Sequence, residues 1–126
     1  MFKNPEELKY TKTHEWVKEE DGLYVVGLTD YAQDALGDIV FVNLPSVGDT
    51  VTAGEVFSDV ESVKAVSDVY SPVTGVVAEV NEAVMDDPAL VNGDCYGAWF
   101  IKVSDISGTE DLLDAKAYEE VCANEE

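Results

Sequence analysis

A small, mainly β barrel or sandwich with short helices and a helical C-terminus is the fold this sequence predicts. Between Asp38 and Val103 short strand-like apolar runs alternate with turn-forming stretches at residues 44–49, 52–54, 71–75 and 92–94. At 126 residues the chain has room for one domain, read as residues 1–126, that buries roughly two-thirds of its unfolded surface. After Gly108 the pattern turns helical, as expected of a terminal helix packed on a sheet.

The elements follow in order. Residues 11–18 alternate around His14 and Trp16, and residues 23–28 form a second strand. The Asp21-Gly22 step between them favours a tight hairpin turn. Thr29 or Asp30 is placed to cap a short helix ending at Leu36, with Gly37 as a left-handed stop. Strand character returns over residues 38–42. Over residues 56–62 the alternation puts Val56, Ser58, Val60 and Ser62 on one face and Phe57, Asp59 and Glu61 on the other. A tight turn at Val63-Lys64-Ala65 then sends the chain back through residues 66–70. Gly37-Asp38-Ile39-Val40-Phe41-Val42-Asn43 weakly echoes Gly75-Val76-Val77-Ala78-Glu79-Val80-Asn81; if the echo marks a repeat, Lys64 falls between related halves. Thr109 is placed to cap a helical turn over 110–113, and Asp114 to cap a helix over 115–121.

Charge narrows the function. Twenty-seven acidic residues against seven lysines and no arginine give a formal charge of -20. Such a chain repels nucleic acid and anionic membrane, and is steered toward basic protein surfaces. Cys95 and Cys122 are too few and too far apart for a disulfide framework or a zinc motif, so two free thiols in a reducing compartment are expected. The N-terminal stretch lacks a signal core, and no apolar run approaches the roughly 20 residues that span a bilayer, so the expected location is the cytoplasm.

Against this background one cation stands out. Lys64 is the single basic residue between Glu19 and Ile101, set at a hairpin tip among Asp59, Glu61 and Asp68. An ordinary solvated turn lysine is the plain reading; the isolation favours an amine offered to another protein's active site. A Schiff-base nucleophile needs burial or a second cation beside the amine, and the neighbouring carboxylates would favour the opposite, so that role is not expected. A single histidine, His14, leaves no readable Ser-His-Asp or Cys-His constellation, so free-standing catalysis and a resident metal are not expected.

Glu61-Ser62-Val63-Lys64-Ala65 with Ser67-Asp68-Val69-Tyr70-Ser71-Pro72 resembles the lipoyl-attachment segment of the glycine cleavage H proteins. The likeness continues through Tyr10-Thr11-Lys12-Thr13-His14-Glu15-Trp16-Val17, through Thr29-Asp30-Tyr31-Ala32-Gln33 and Leu36-Gly37-Asp38-Ile39-Val40-Phe41-Val42, and from Leu90-Val91-Asn92 to Tyr118. The resemblance implies a lipoyl/biotinyl-type barrel-sandwich hybrid with lipoic acid amide-linked to Lys64. It implies that Gly48, Glu61 and Gly75 serve recognition by the lipoylating enzyme, although the glycines also read as turn residues and Glu61 as a solvated strand residue. It further implies that Thr13, Glu15 and Asp68 hold the aminomethylated arm. The implied partners are the pyridoxal-phosphate glycine decarboxylase (P protein), which loads an aminomethyl group, and the tetrahydrofolate-dependent aminomethyltransferase (T protein), which removes it. Dihydrolipoamide dehydrogenase (L protein) reoxidises the arm. One stretch departs from the pattern: Asn92-Gly93-Asp94-Cys95-Tyr96-Gly97-Ala98-Trp99 has cysteine where the family usually has proline, and a shorter run before its tryptophan.

Other readings compete. A lipoyl domain of a 2-oxoacid dehydrogenase usually carries Asp-Lys-Ala at its tip, whereas Val63 precedes the lysine here; a biotin carrier places methionines beside its lysine, where this chain has Val63 and Ala65. A lipoyl-relay carrier and an unmodified binding module are the remaining alternatives.

Overall fold

The computed structural model describes residues 3–125. Among the described residues, two antiparallel sheets and four short helices make up the fold. Strand β1 (Lys9–Tyr10) pairs with β2 (Glu15–Glu20), which returns through the Asp21-Gly22 turn as β3 (Leu23–Leu28). Both turn residues have positive φ, 54° and 80°, and the flanking Glu20 and Leu23 pair directly, as in a two-residue primed turn. The Thr29 hydroxyl caps α1 (Asp30–Leu36) by accepting from the Ala32 N–H. Gly37 ends the helix at φ 80° and ψ -156°, a region open essentially to glycine and different from the left-handed stop expected.

Strands β4 (Ile39–Asn43), β6 (Val56–Ser62) and β7 (Val66–Tyr70) form a three-stranded sheet in the order β4-β6-β7. The six-stranded sheet has the order β1-β2-β3-β9-β8-β5, completed by β5 (Thr50–Val51), β8 (Val73–Val80) and β9 (Ile101–Thr109). Helices α2 (Glu82–Asp86) and α3 (Ala89–Gly93) follow β8, and α4 (Ala115–Glu125) closes the chain.

The core lies between the sheets: Val26 and Leu28 of β3, Val42, Val60 and Val69 of the smaller sheet, and Val73, Val77, Ile101 and Val103 of the larger. A second cluster joins Tyr10, Trp16 and Val25 to Ala115, Tyr118 and Cys122 of α4. Thus Val25 and Val26, successive residues of one strand, each serve a different core. Among the described residues no helix is long and apolar enough to cross a membrane.

Several expectations require correction. Residues 11–14 form a turn, with His14 at φ 75°, and the strand begins only at Glu15. A bulge between Val56 and Ser58 breaks the alternation, leaving Val56 exposed while Phe57 packs toward the core. The turn at 71–75 ends at Pro72, because Val73, Thr74 and Gly75 already belong to β8. Asn92 and Gly93 close α3 instead of making a turn, and neither α2 nor α3 was anticipated within a stretch read as β. Residues 110–113 are not helical: β9 runs to Thr109, and Leu113 bridges to Tyr10 through two backbone hydrogen bonds. The echoing segments end up in different sheets, β4 in the smaller and β8 in the larger.

Candidate functional site

Lys64 sits at the tip of the β6–β7 hairpin, and one side chain organises that tip. The Ser62 hydroxyl accepts from the N–H groups of Lys64 (3.2 Å) and Ala65 (3.1 Å), while the Ser62 N–H donates to the Ala65 carbonyl at 2.8 Å. The Val63 N–H donates to the carbonyl of Asp38 at 3.0 Å, tying the tip to the start of β4. A side chain on a turn held at both ends is presented at a defined place. The Lys64 stem lies across Gly37: a Cβ there would come within 3.0 Å of Lys64 Cε and 3.7 Å of Nζ. Asn92 fixes the same junction, donating to the Gly37 carbonyl at 2.8 Å and accepting from the Ile39 N–H at 2.9 Å. Sequence reasoning missed Asn92, because an Asn-Gly step reads as a turn rather than a helix end.

A groove of about 250 Å³ opens between α1 and β7, the edge strand of the smaller sheet. Leu28, Ala32, Ala35, Leu36, Val60 and Val69 make its walls apolar; Thr13, His14, Glu15, Tyr31, Ser67 and Asp68 supply its polar groups. Glu15 is only 1% exposed. Its Oε1 accepts from the hydroxyls of Thr11, at 2.6 Å, and Thr13, and its Oε2 accepts from the Tyr70 N–H at 3.3 Å. Burial pushes its pKa up to about 7, against the opposing pull of those three hydrogen bonds. Five residues of β7 at about 3.3 Å each put this carboxyl about 16 Å from the Lys64 turn.

The structure therefore brings Thr13, Glu15 and Asp68 to one groove, although Thr13 arrives there through the turn at His14 and not by strand alternation. Behind them a polar chain reaches the C-terminal helix: His14 Nδ1 lies 2.7 Å from the Tyr118 hydroxyl, which in turn lies 2.6 Å from Thr29 Oγ1. His14 also stacks on Tyr31, with ring centroids 4.6 Å apart. The sequence carried no signal for this link, since Tyr118 reads as one apolar position on a helix face.

The three recognition candidates do not form one cluster. Glu61 is exposed on β6, three residues before Lys64. Gly48 and Gly75 belong to the larger sheet's edge, where the Gly48 N–H donates to the Val77 carbonyl and Gly75 pairs with Val51. Gly48, at φ 97° with open space around it, is a turn glycine. Gly75 is not: a Cβ there would lie 2.4 Å from the Ser104 carbonyl oxygen and 2.6 Å from Val103 Cγ1, so close strand packing demands it. Cys95 and Cys122 are both buried and not joined in a disulfide, and burial pushes the Cys95 thiol up to about 12. Among the described residues no group of three or more His, Cys, Asp or Glu is placed to hold a metal.

Comparison with known proteins gives a consistent answer. The family model described as "Glycine cleavage H-protein" matches residues 8–125. The chain is 57% identical over 121 residues to a glycine cleavage system H protein of Lachnoclostridium phytofermentans, covering 95% of each chain. It is also 57% identical to one from Shewanella sp. strain ANA-3, covering 99% of this chain and 100% of that one. The crystal structure of a glycine cleavage system H protein from Mycobacterium marinum superimposes with a TM-score of 0.88 at 45% identity, covering 92% of this chain and 96% of that one. With a fold, a lysine-tipped hairpin and a near full-length match in agreement, this chain belongs to the glycine cleavage H-protein family.

Proposed function

We propose that Lys64 is the residue through which this chain, a glycine cleavage H protein and so the lipoyl carrier of that system, bears its lipoyl group, and that the groove beside α1 receives the loaded arm. The observation that carries this reading is the continuity of hairpin tip and groove: Lys64 starts at the C-terminal end of α1, and the groove runs along α1 and β7 to Glu15. Lipoate, when attached, supplies a redox-active disulfide that can hold and release a one-carbon amine.

The residues present suit that cargo. An exposed amine on a fixed turn is available for amide formation, and an apolar-walled groove suits the hydrocarbon stem of the arm. At its far end a protonated aminomethyl nitrogen would meet the Glu15 carboxylate and the Thr13 hydroxyl. The cation would draw the Glu15 pKa down from about 7, so docking at neutral pH releases part of a proton and gains a charge-assisted hydrogen bond. Asp68 on the groove margin adds a second negative charge.

In this reading the whole chain is a single non-catalytic carrier domain working in the cytoplasm. It presents its arm in turn to the P, T and L proteins after modification by a lipoylating enzyme. The reaction chemistry resides in those enzymes; this chain contributes presentation, orientation and shelter. The test is intact-mass analysis and peptide mapping after expression with lipoate. The reading requires one lipoyl adduct, on Lys64, and none in Lys64→Arg. An adduct on any other lysine, or glycine-cleavage activity supported by Lys64→Arg, overturns it.

A further inference from the structure

Gly37, Asp38 and Ile39 lead from α1 into β4, and their backbone is hydrogen-bonded on two sides. Toward α3, the Gly37 carbonyl accepts from Asn92 Nδ2 at 2.8 Å, and the Ile39 N–H donates to Asn92 Oδ1 at 2.9 Å. Toward the β6–β7 hairpin, the Asp38 carbonyl accepts from the Val63 N–H at 3.0 Å. The three residues are therefore a strap, with one asparagine side chain on one side and the lysine-bearing turn on the other. The Lys64 stem also crosses this strap at Gly37.

Asn92 reaches α1 as well. Its Nδ2 donates to Gln33 Oε1 at 3.0 Å, and Gln33 Nε2 donates to Asp30 Oδ1 at 2.8 Å, so the same amide holds both the helix and the strap that leaves it. Holding α3 in the fold does not need these bonds, because the preceding residue, Val91, is fully buried in the main core. What the amide satisfies is the backbone of the strap, whose Gly37 carbonyl and Ile39 N–H would otherwise need new partners. The groove separates α1 from β7, so at the mouth its two walls are joined by this strap and the Val63 bond. Asn92 itself is not part of those walls.

We propose that Asn92 is a positioning residue for the lipoyl arm: by holding residues 37–39 it fixes the lysine-bearing turn against α1 and sets where the arm enters the groove. This rests on Lys64 bearing the lipoyl group. The residue acts through Gly37, Asp38 and Val63, and its loss leaves the pivot of the arm and the mouth of the groove free to shift relative to each other.

The test uses the full chain, lipoylated and then aminomethylated by the P protein, and follows release of formaldehyde and ammonia without the T protein. Asn92→Ala should speed release about fivefold, as expected when the equivalent of one net hydrogen bond is lost from the docked state. Asn92→Asp keeps an acceptor for Ile39 but sets a carboxylate oxygen against the oxygens of Gly37 and Gln33, and should speed release at least as much. If Asn92→Ala fails to fold, Asn92→Asp, nearly the same in shape, decides. Val91→Ala loosens α3 in the core without touching the strap; it should lower the melting temperature and leave release parental. Asn92→Asp combined with Glu15→Ala should release no faster than Glu15→Ala alone, because both act on the same docked arm. Parental release in Asn92→Asp, equal acceleration in Val91→Ala, or multiplied effects in the double variant overturns the assignment and leaves the carrier role intact. A parent chain that takes no lipoate on Lys64, or Glu15→Ala that releases at the parental rate, overturns the proposed function of the groove and this role of Asn92 together.

Discussion

The Tyr70 N–H donates to Oε2 of Glu15 across 3.3 Å, joining the edge of the smaller sheet to the first full strand of the larger one. A buried carboxyl thereby closes the groove at the end remote from Lys64, and its protonation is coupled to folding. Its pKa is raised in the folded state to about 7 from an ordinary value of 4.5, so the folded chain binds more protons between those limits. The contribution is fully present below about pH 4.5 and is lost as pH rises through about 7, an amount on the order of 3 kcal/mol. Glu15→Gln should flatten the dependence of unfolding free energy on pH over that window and make the chain more stable than the parent at pH 8. Urea titrations at pH 5, 6, 7 and 8 check this; identical slopes for the two proteins would refute it.

Shelter of the loaded arm gives a separate outcome. Glu15→Ala should speed release of formaldehyde and ammonia from the aminomethylated carrier in the absence of the T protein, with lipoylation of Lys64 unaltered. Equal release rates would remove Glu15 from any protective role.

The two glycines expected to serve recognition should respond differently. Gly75→Ala forces a methyl into the Ser104 carbonyl and Val103, and overpacking of this kind costs about 1–3 kcal/mol or more. Gly48→Ala meets open space and is opposed only by its positive φ, at about 1–2 kcal/mol. Thermal unfolding of both variants, beside their lipoylation rates, separates a fold requirement from a contact with the modifying enzyme. A larger loss of stability in Gly48→Ala would contradict the packing argument.

Tyr118→Phe removes the hydroxyl that meets both Thr29 and His14 while keeping the ring stacked on Tyr10 at 4.7 Å. We expect a loss of about 1–2 kcal/mol. Because His14 lines the groove, we also expect faster release of the aminomethyl group. A stability loss with unchanged release would confine the network to holding α4.

Association with the P protein should slow as ionic strength rises from 0.1 M to 1 M, where the Debye length falls from about 10 Å to about 3 Å. Stopped-flow association rates measure this directly, and flat rates would exclude steering by the charge of -20.

The parts legible in the sequence were those governed by local chemistry. Asp21-Gly22 specifies its turn and Val63-Lys64-Ala65 its reversal, and Thr29 or Asp30 marks the cap, which the structure gives to Thr29, each through residues adjacent in the chain. What sequence could not give was set by distant partners. Residues 110–113 have a capping threonine and apolar spacing, yet Leu113 is drawn into a bridge with Tyr10. Asn92 reads as a turn former but spends its side chain on Gly37 and Ile39. Strand alternation over residues 11–18 would put Thr13 and Glu15 on one face, while the structure brings them together through a turn in which His14 has positive φ. Family likeness points to Thr13, Glu15 and Asp68 alone among the residues that line the groove, and the burial of Glu15 is not readable, because three segments far apart in the chain produce it.

The resting place of the Lys64 stem on Gly37 has a consequence for the moment of modification. The carbonyl end of α1 carries a partial negative charge, which favours a cationic amine lying beside it. Amide formation neutralises the nitrogen and abolishes that attraction, taking the formal charge from -20 to -21. Acylation would thus cast off the mooring of its own side chain: the bare lysine lies tethered at the helix end, and the finished arm leaves it free to swing.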